Sequence, residues 1–458
     1  MLSKGRLISK KSFILFFLFA HVSLAILLSD LFALAPDEQG YLATFRNLYH
    51  SHSLIPPQNL SGWITAPDIF LWLVYAPAKI LNLIGIPDVL SVRFLSILFN
   101  TLTLLLLLKA KESRKVNYLF SDRIVIGAFF IPSVFLWTTL GLRESFIMLE
   151  LALILIGFDL LMRKVGKRGF ILLILGSYSL LSTKSYLWLC LVLAVSITSL
   201  FYIIQKKYML KMYKLLASAF LIPLALFVAT SSSYALGFIL NSDISIAGER
   251  SGDSVTQVTV KNDSREELIT FHGDHTILAL HSYVLNNPEN INTQVIKFFG
   301  VDRRINEILE PKIKRALLSP NKSFGDGESL GSEHILRPGS MTEPGTLFLS
   351  LSNFVFGPIP FIAESGLTKK IASFESPLWW IFYSTVVLQI FRFREKSLIK
   401  EPQLFLASLF FIGFVLLSAL VEVNVGTAFR HKSILIVPLA FLYFGLGQEN
   451  AKERDQIE

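Results

Sequence analysis

The feature that most constrains this chain is the recurrence of apolar runs of bilayer-crossing length. A spanning helix needs about 20 mostly apolar residues. Runs of that kind recur at Ser12–Ala33, Val89–Leu108, Ile124–Thr139, Glu144–Met162, Phe170–Ser182, Tyr186–Ile204, Leu215–Leu240, Leu378–Phe391, Leu404–Val421 and Ile434–Leu446. The expected fold is therefore all-α, a polytopic membrane protein of about ten transmembrane helices. Composition agrees: 52% of the 458 residues are hydrophobic and only 17% are charged. No soluble globular chain of this size keeps such a balance.

The formal charge of +9 does not point to nucleic acid. The basic residues sit in short clusters beside the apolar runs, which is how membrane topology is signalled. Those clusters also decide the ambiguous segment Ala66–Ile86, which is apolar but interrupted by Pro67, Asp68, Pro77, Lys79 and Gly85. If it does not cross, then Lys109/Lys111, Arg163/Lys164, Lys206/Lys207, Arg392/Arg394 and Lys452/Arg454 all fall on the cytoplasmic side with both termini. It is accordingly read as interfacial or re-entrant. The basic start followed by Ser12–Ala33 is read as an uncleaved first helix, because Leu34-Ala35-Pro36 is a poor cleavage site.

Three parts follow from this topology. Residues 1–240 form an N-terminal membrane module whose first outer loop, 34–88, carries interfacial helices. Residues 241–377 form a large outer loop or lid, with short helices expected near Ser264–Phe271, Asn290–Phe299 and Arg303–Leu317. Residues 378–458 form a C-terminal membrane module with a cytoplasmic tail.

Ionisable residues at the outer helix ends then become informative. Asp37 and Glu38 follow the first run in "LAPDEQGY". Carboxylates there meet the partially negative carbonyl end of the helix, which favours a neighbouring cation or a catalytic duty. A carboxylate against an apolar wall can serve as general base. Arg93 enters the second run, and Arg143 with Glu144 occupies the short turn "TLGLRESF". Glu150 lies on the same helical stripe two turns deeper, suggesting a polar crevice that opens outward. Lys184 and the triplet Arg430-His431-Lys432 complete the set, either as headgroup anchors or as a site for phosphate or pyrophosphate.

Weaker signals are set aside. His272, Asp274, His275 and His281 lack the helical spacing and thiol partners of a metal site, so no metal and no cofactor is expected. "FGDGES" lacks the lysine of a phosphate loop. His21 and Asp30 are read as satisfied or interface-facing.

Taken in order, Asp37-Glu38, the segment Ile55–Ile86 with Pro56-Pro57, "VLSVRFLSILFNTLTLLLLLKAK" with Arg93, and "PSVFLWTTLGLRESFIML" resemble the C-type membrane glycosyltransferases. That superfamily includes the protein O-mannosyltransferases and the lipid A aminoarabinose transferases. The resemblance covers about the first 200 residues. The C-terminal "NVGTAFRHK" looks more like the outer arginine-rich loops of O-antigen polymerase or ligase proteins. The resemblance implies transfer of a sugar from a polyprenyl phosphate or pyrophosphate carrier to a glycan, lipid or protein acceptor on the outer face of a cytoplasmic membrane. The expected roles are Asp37 as base, Glu38 orienting the acceptor or the base, and Arg93, Arg143, Glu144, Lys184, Arg430, His431 and Lys432 around the substrate. A polysaccharide polymerase or ligase, and a flippase for a lipid-linked glycan, remain the alternatives.

Overall fold

The computed structural model describes residues 10–29, 38, 41–42, 69–113, 121–163, 166–206, 208–226, 256–262, 265–271, 344–359, 367–392, 398–421 and 425–446. The chain divides into two compact units. The first comprises residues 1–238, 377–414 and 429–458, and the second residues 239–376 and 415–428.

In chain order the first unit opens with α1 (Lys10–Leu27), α2 (Ile69–Leu83) and α3 (Asp88–Ser113). The pair α4 (Ser121–Phe129) and α5 (Pro132–Thr139) is followed by α6 (Glu144–Met162), α7 (Gly166–Thr183), α8 (Ser185–Ile204) and α9 (Met209–Leu216). The last of these runs on through a π-helical turn, Ala217–Leu221.

Five helical stretches among the described residues are long and apolar enough to cross a bilayer: Asp88–Glu112, Glu144–Met162, Tyr186–Ile204, Met209–Leu226 and Pro402–Ala419. The bent pair Asp122–Phe129 and Pro132–Thr139, broken by 59°, would make a sixth. The bend has a local cause. Pro132 supplies no amide hydrogen, so the helix stops short of it and restarts with proline in the first turn, where no donor is needed. The segment around Pro77, read from sequence as non-crossing, forms a helix of 15 residues, α2.

Sixteen of the 19 residues of α6 are buried, which makes it the central helix of the unit. It packs against α7 through glycine. A Cβ on Gly169 would lie 2.6 Å from the Gly157 carbonyl oxygen, and one on Gly176 would lie 2.9 Å from that of Glu150. Between apolar helices there is no water to expel, so close backbone approach of this kind replaces it as the source of cohesion. The outer side of α8 shows the complementary pattern. Leu189, Leu193, Ile197, Leu200 and Ile204 are all exposed at helical spacing while Leu187, Leu191, Ala194 and Val195 are buried. An apolar face of that length suits a hydrocarbon environment.

The remaining described helices are α10 (Pro344–Phe356), α11 (Leu367–Arg392), α12 (Pro402–Val421), α13 (Val425–Ile434) and α14 (Ile436–Leu446). One departure from helix is found among the described residues. β1 (Thr256–Asn262) and β2 (Arg265–Phe271) form an antiparallel hairpin with Asn262 opposite Arg265. This corrects the helix expected near Ser264–Phe271. The alternating β-branched residues of "TQVTVKN" favour an extended strand, and pairing with it carries "REELITF" along despite its two glutamates. The helices expected near Asn290–Phe299 and Arg303–Leu317 lie outside the described residues.

Candidate functional site

The first component of the site is a buried clamp at the start of α3. Arg93 donates from Nε to Glu38 Oε1 at 2.7 Å and from Nη2 to Oε2 at 2.9 Å. Its Nη1 donates to the Ala25 carbonyl oxygen at 3.0 Å, near the end of α1. Glu38 Oε1 accepts a third bond from the Gly141 amide at 2.8 Å. Both side chains are buried. Planar guanidinium and carboxylate meet edge to edge, the strongest common geometry for such a pair. Glycine is required at 141, since a Cβ there would stand 2.8 Å from Val92 Cγ1 and 3.2 Å from Glu38 Oε1.

Gly141 belongs to the turn that opens α6, and the second component starts two residues on. Arg143 is the N-cap residue of α6 and Glu144 occupies its first turn. A carboxylate there faces the partially positive end of the helix. Glu144 is fully buried and pairs with Arg430 of α13, Nε to Oε1 at 2.6 Å. Lys184 Nζ lies 3.8 Å from the same oxygen. Lys184 breaks the chain between α7 and α8. Its extended backbone ends one helix, while its carbonyl accepts the first amide bonds of the next. Its ammonium also donates to His431 Nε2 at 2.7 Å. An ammonium has no lone pair, so His431 is neutral at that nitrogen in this arrangement. Tyr186 closes the group, its hydroxyl 3.5 Å from His431 Nε2 and its ring beneath the Lys184 ammonium.

Arg143 donates from Nη1 to the Thr183 carbonyl oxygen at 3.0 Å and lies over the Tyr41 ring at 5.4 Å. Below it, Glu150 accepts from Ser179 and Thr183 of α7. Lys432 is buried with its ammonium 4.2 Å from the Phe429 ring centroid. Tyr41, on which Arg143 rests, belongs to a buried apolar cluster with Phe70, Val92, Leu142 and Phe146 among others.

Arg143, Glu144, Lys184, Arg430 and His431 are thus brought together, while Arg93 is turned away onto Glu38. Asp37 lies outside the described residues, as do Asp30, His272, Asp274, His275 and His281. His21 is buried and shares hydrogen bonds with Asn100 and Thr138. Sequence reading missed Tyr41, Thr183 and Tyr186. "STKSY" placed Thr183 and Tyr186 beside Lys184 in plain view, but nothing in the local pattern says that a ring turns toward the ammonium.

The other ends of the same helices are basic. Lys111 pairs with Asp122 at 2.6 Å, Arg163 with Asp159 at 3.2 Å, and Lys211 donates to the Met162 carbonyl. Among the described residues no group of three or more His, Cys, Asp or Glu is gathered to hold a metal ion. Chemically, Lys184 and Arg430 sharing one buried carboxylate, with Arg143 on the Thr183 carbonyl next in sequence to Lys184, make a site suited to an anion. Comparison with protein-family models, with curated proteins and with solved structures finds no match to this chain.

Proposed function

We propose that this chain is a membrane glycosyltransferase of about ten spans that moves a sugar from a polyprenyl phosphate or pyrophosphate carrier to an acceptor on the outer face of the cytoplasmic membrane. The observation that carries the reading is the meeting of Lys184, Arg430 and His431 around buried Glu144. It occurs at the helix ends opposite those where Lys111, Arg163 and Lys211 gather. By the positive-inside bias the Lys111 end faces the cytoplasm and the Glu144 end faces out. Cations kept on the outer side against that bias are best accounted for by a bound anion.

In this reading Arg143, Lys184, Arg430 and Lys432 hold the carrier phosphate, with His431 keeping the Lys184 ammonium aimed. Glu38, fully engaged by Arg93 and the Gly141 amide, anchors the first outer loop. Asp37, its neighbour in sequence, is the general base. It takes the proton of an acceptor hydroxyl or amine, the acceptor atom bonds to the anomeric carbon, and the bond from that carbon to the phosphate oxygen breaks. The cations stabilise the phosphate as it leaves. No nucleotide and no metal is needed for these steps.

The test is purified protein in detergent with a polyprenyl-linked sugar and acceptor. Release of free polyprenyl phosphate, abolished by Asp37→Asn and Arg430→Ala at normal expression, is the expected result. Movement of the lipid between leaflets without release would instead identify a flippase. Transfer of a preassembled oligosaccharide only would identify a polymerase or ligase. Full activity in both variants would overturn the assignment of the site.

A further inference from the structure

The proposed transfer uses one end of α6, α7 and α8 and leaves the opposite end without a role. Cations gather there with nothing to neutralise them. Lys167 and Arg168 lie in the first turn of α7, Lys206 follows α8, and Lys214 is on α9. All four are exposed, and none makes an ion pair among the described residues. Between Asp159 and Asp243 the chain contains no acidic residue at all. The acids that neighbouring segments bring to this end are engaged. Asp159 of α6 is buried and paired with Arg163. Tyr202, near the end of α8, donates to the Ile399 carbonyl, and Glu401, two residues on, accepts from Gln403 at 2.7 Å.

The corner is held rather than loose. Lys211 donates to the Met162 carbonyl, which joins α9 to the end of α6, and its ammonium lies 5.5 Å from the Tyr208 ring centroid. In the turn from α8 to α9 the Lys206 amide donates to the Ile203 carbonyl at 2.9 Å and the Met212 amide to that of Tyr208 at 3.0 Å. Lys206 and Tyr208 both hold left-handed backbone, with φ of 55° and 56°, a region that side chains rarely adopt. Beside the cations the surface is apolar. Ile204, Leu210 and Tyr213 are 71%, 68% and 52% exposed, while Met212 and Leu215 on the other face of α9 are buried. Met209–Leu226 is long and apolar enough to cross a bilayer, so its first turns stand where hydrocarbon gives way to headgroups.

We propose that the ends of α7, α8 and α9 form a binding site for an anionic phospholipid of the cytoplasmic leaflet. Charge complementarity selects the headgroup: the Arg168 guanidinium and the ammonium groups of Lys167, Lys206 and Lys214 meet its phosphate. Its acyl chains lie on Ile204, Leu210 and Tyr213, with the lysine stems reaching back to headgroup level. The leaflet follows from the same charge bias that places the Glu144 end outside. This proposal does not draw on glycan transfer and holds whether the chain is an enzyme or a transporter.

Native mass spectrometry tests it. Full-length protein is released from nanodiscs that mix phosphatidylglycerol with phosphatidylcholine of the same acyl chains, and the lipids it retains are counted. Wild type is expected to keep phosphatidylglycerol in preference to phosphatidylcholine, and the preference should fall as salt is raised. The variant Lys206→Gln/Lys214→Gln should lose affinity for phosphatidylglycerol by roughly fivefold for each cation removed. Arg123→Gln, which removes an exposed cation on α4, should leave it unchanged. An equal loss in Arg123→Gln would show general attraction to the whole face and would overturn the site. An unchanged preference in the double variant, or displacement of the lipid by free inorganic phosphate, overturns it as well. Wild type without a preference overturns it directly, so the outcome does not depend on a substituted chain folding.

Discussion

Arg93 and Glu38, 55 residues apart in the chain, meet through two parallel hydrogen bonds of 2.7 and 2.9 Å with both side chains removed from solvent. The same carboxylate takes the Gly141 amide. One acidic side chain thereby ties the segment that follows α1 to the start of α3 and to the turn that carries Arg143 and Glu144.

Breaking that pair by removing one partner leaves a buried charge without its counter-ion. Arg93→Ala and Glu38→Ala are each expected to cost about 3–5 kcal/mol. Denaturant or thermal unfolding of the purified protein in detergent measures the loss. A double variant should cost markedly less than the two singles added together, since it removes both charges.

Glycines on the α6 and α7 contact should be sensitive, whereas Gly127 and Gly413 should not. Gly169→Ala places a Cβ 2.6 Å from backbone atoms of α6, whereas nothing lies within 4 Å of a Cβ on Gly127 or Gly413. The first is expected to lower stability by about 1–3 kcal/mol. The other two are expected to be neutral or to raise it by about 0.5–1 kcal/mol, the ordinary helix preference for alanine. Melting temperatures in one detergent distinguish the three.

Arg430→Ala removes the nearest cation from Glu144 and is expected to weaken binding of polyprenyl phosphate roughly 10- to 100-fold, the scale of a lost charge-assisted bond. Arg430→Lys should recover part of the loss, because it keeps the charge without the planar fork. Lys184→Ala is expected to weaken binding as well. Tryptophan or tracer-lipid titration in detergent reads the affinities.

Topology is testable by thiol labelling. The native sequence has one cysteine, Cys190, so Cys190→Ser supplies a clean background. A cysteine at exposed Ile84, between α2 and α3, should react with a membrane-impermeant maleimide in intact cells. A cysteine at exposed Lys167, at the start of α7, should react only after permeabilisation. The reverse pattern would invert the orientation and remove the outer-face reading of the site.

Much of this arrangement was legible before any coordinates. Helices α3, α6, α8 and α12 fall on runs that hydropathy marks, because a bilayer demands that every backbone amide be satisfied within the segment. The break between α4 and α5 was not legible in that way: hydropathy marks 124–139 as one run, although Pro132 is a local cause of the bend. The hairpin Thr256–Phe271 was less legible, since the glutamates of its second strand favour helix and only pairing overrides them. The acids and cations of the site were visible as residues out of place at helix ends, without their partnerships.

What the sequence determined by itself is therefore local: which segments are apolar helices, where they break, and which ionisable groups stand at their ends. What the tertiary structure decided is who meets whom. Glu38 and Gly141 are 103 residues apart, and Lys184 and His431 are 247 apart. Spacing within one helix follows from its pitch, but contacts at such separations depend on how helices pack. Here that packing is set by glycine contacts between α6 and α7 and by buried ion pairs that find their geometry only once the helices are together.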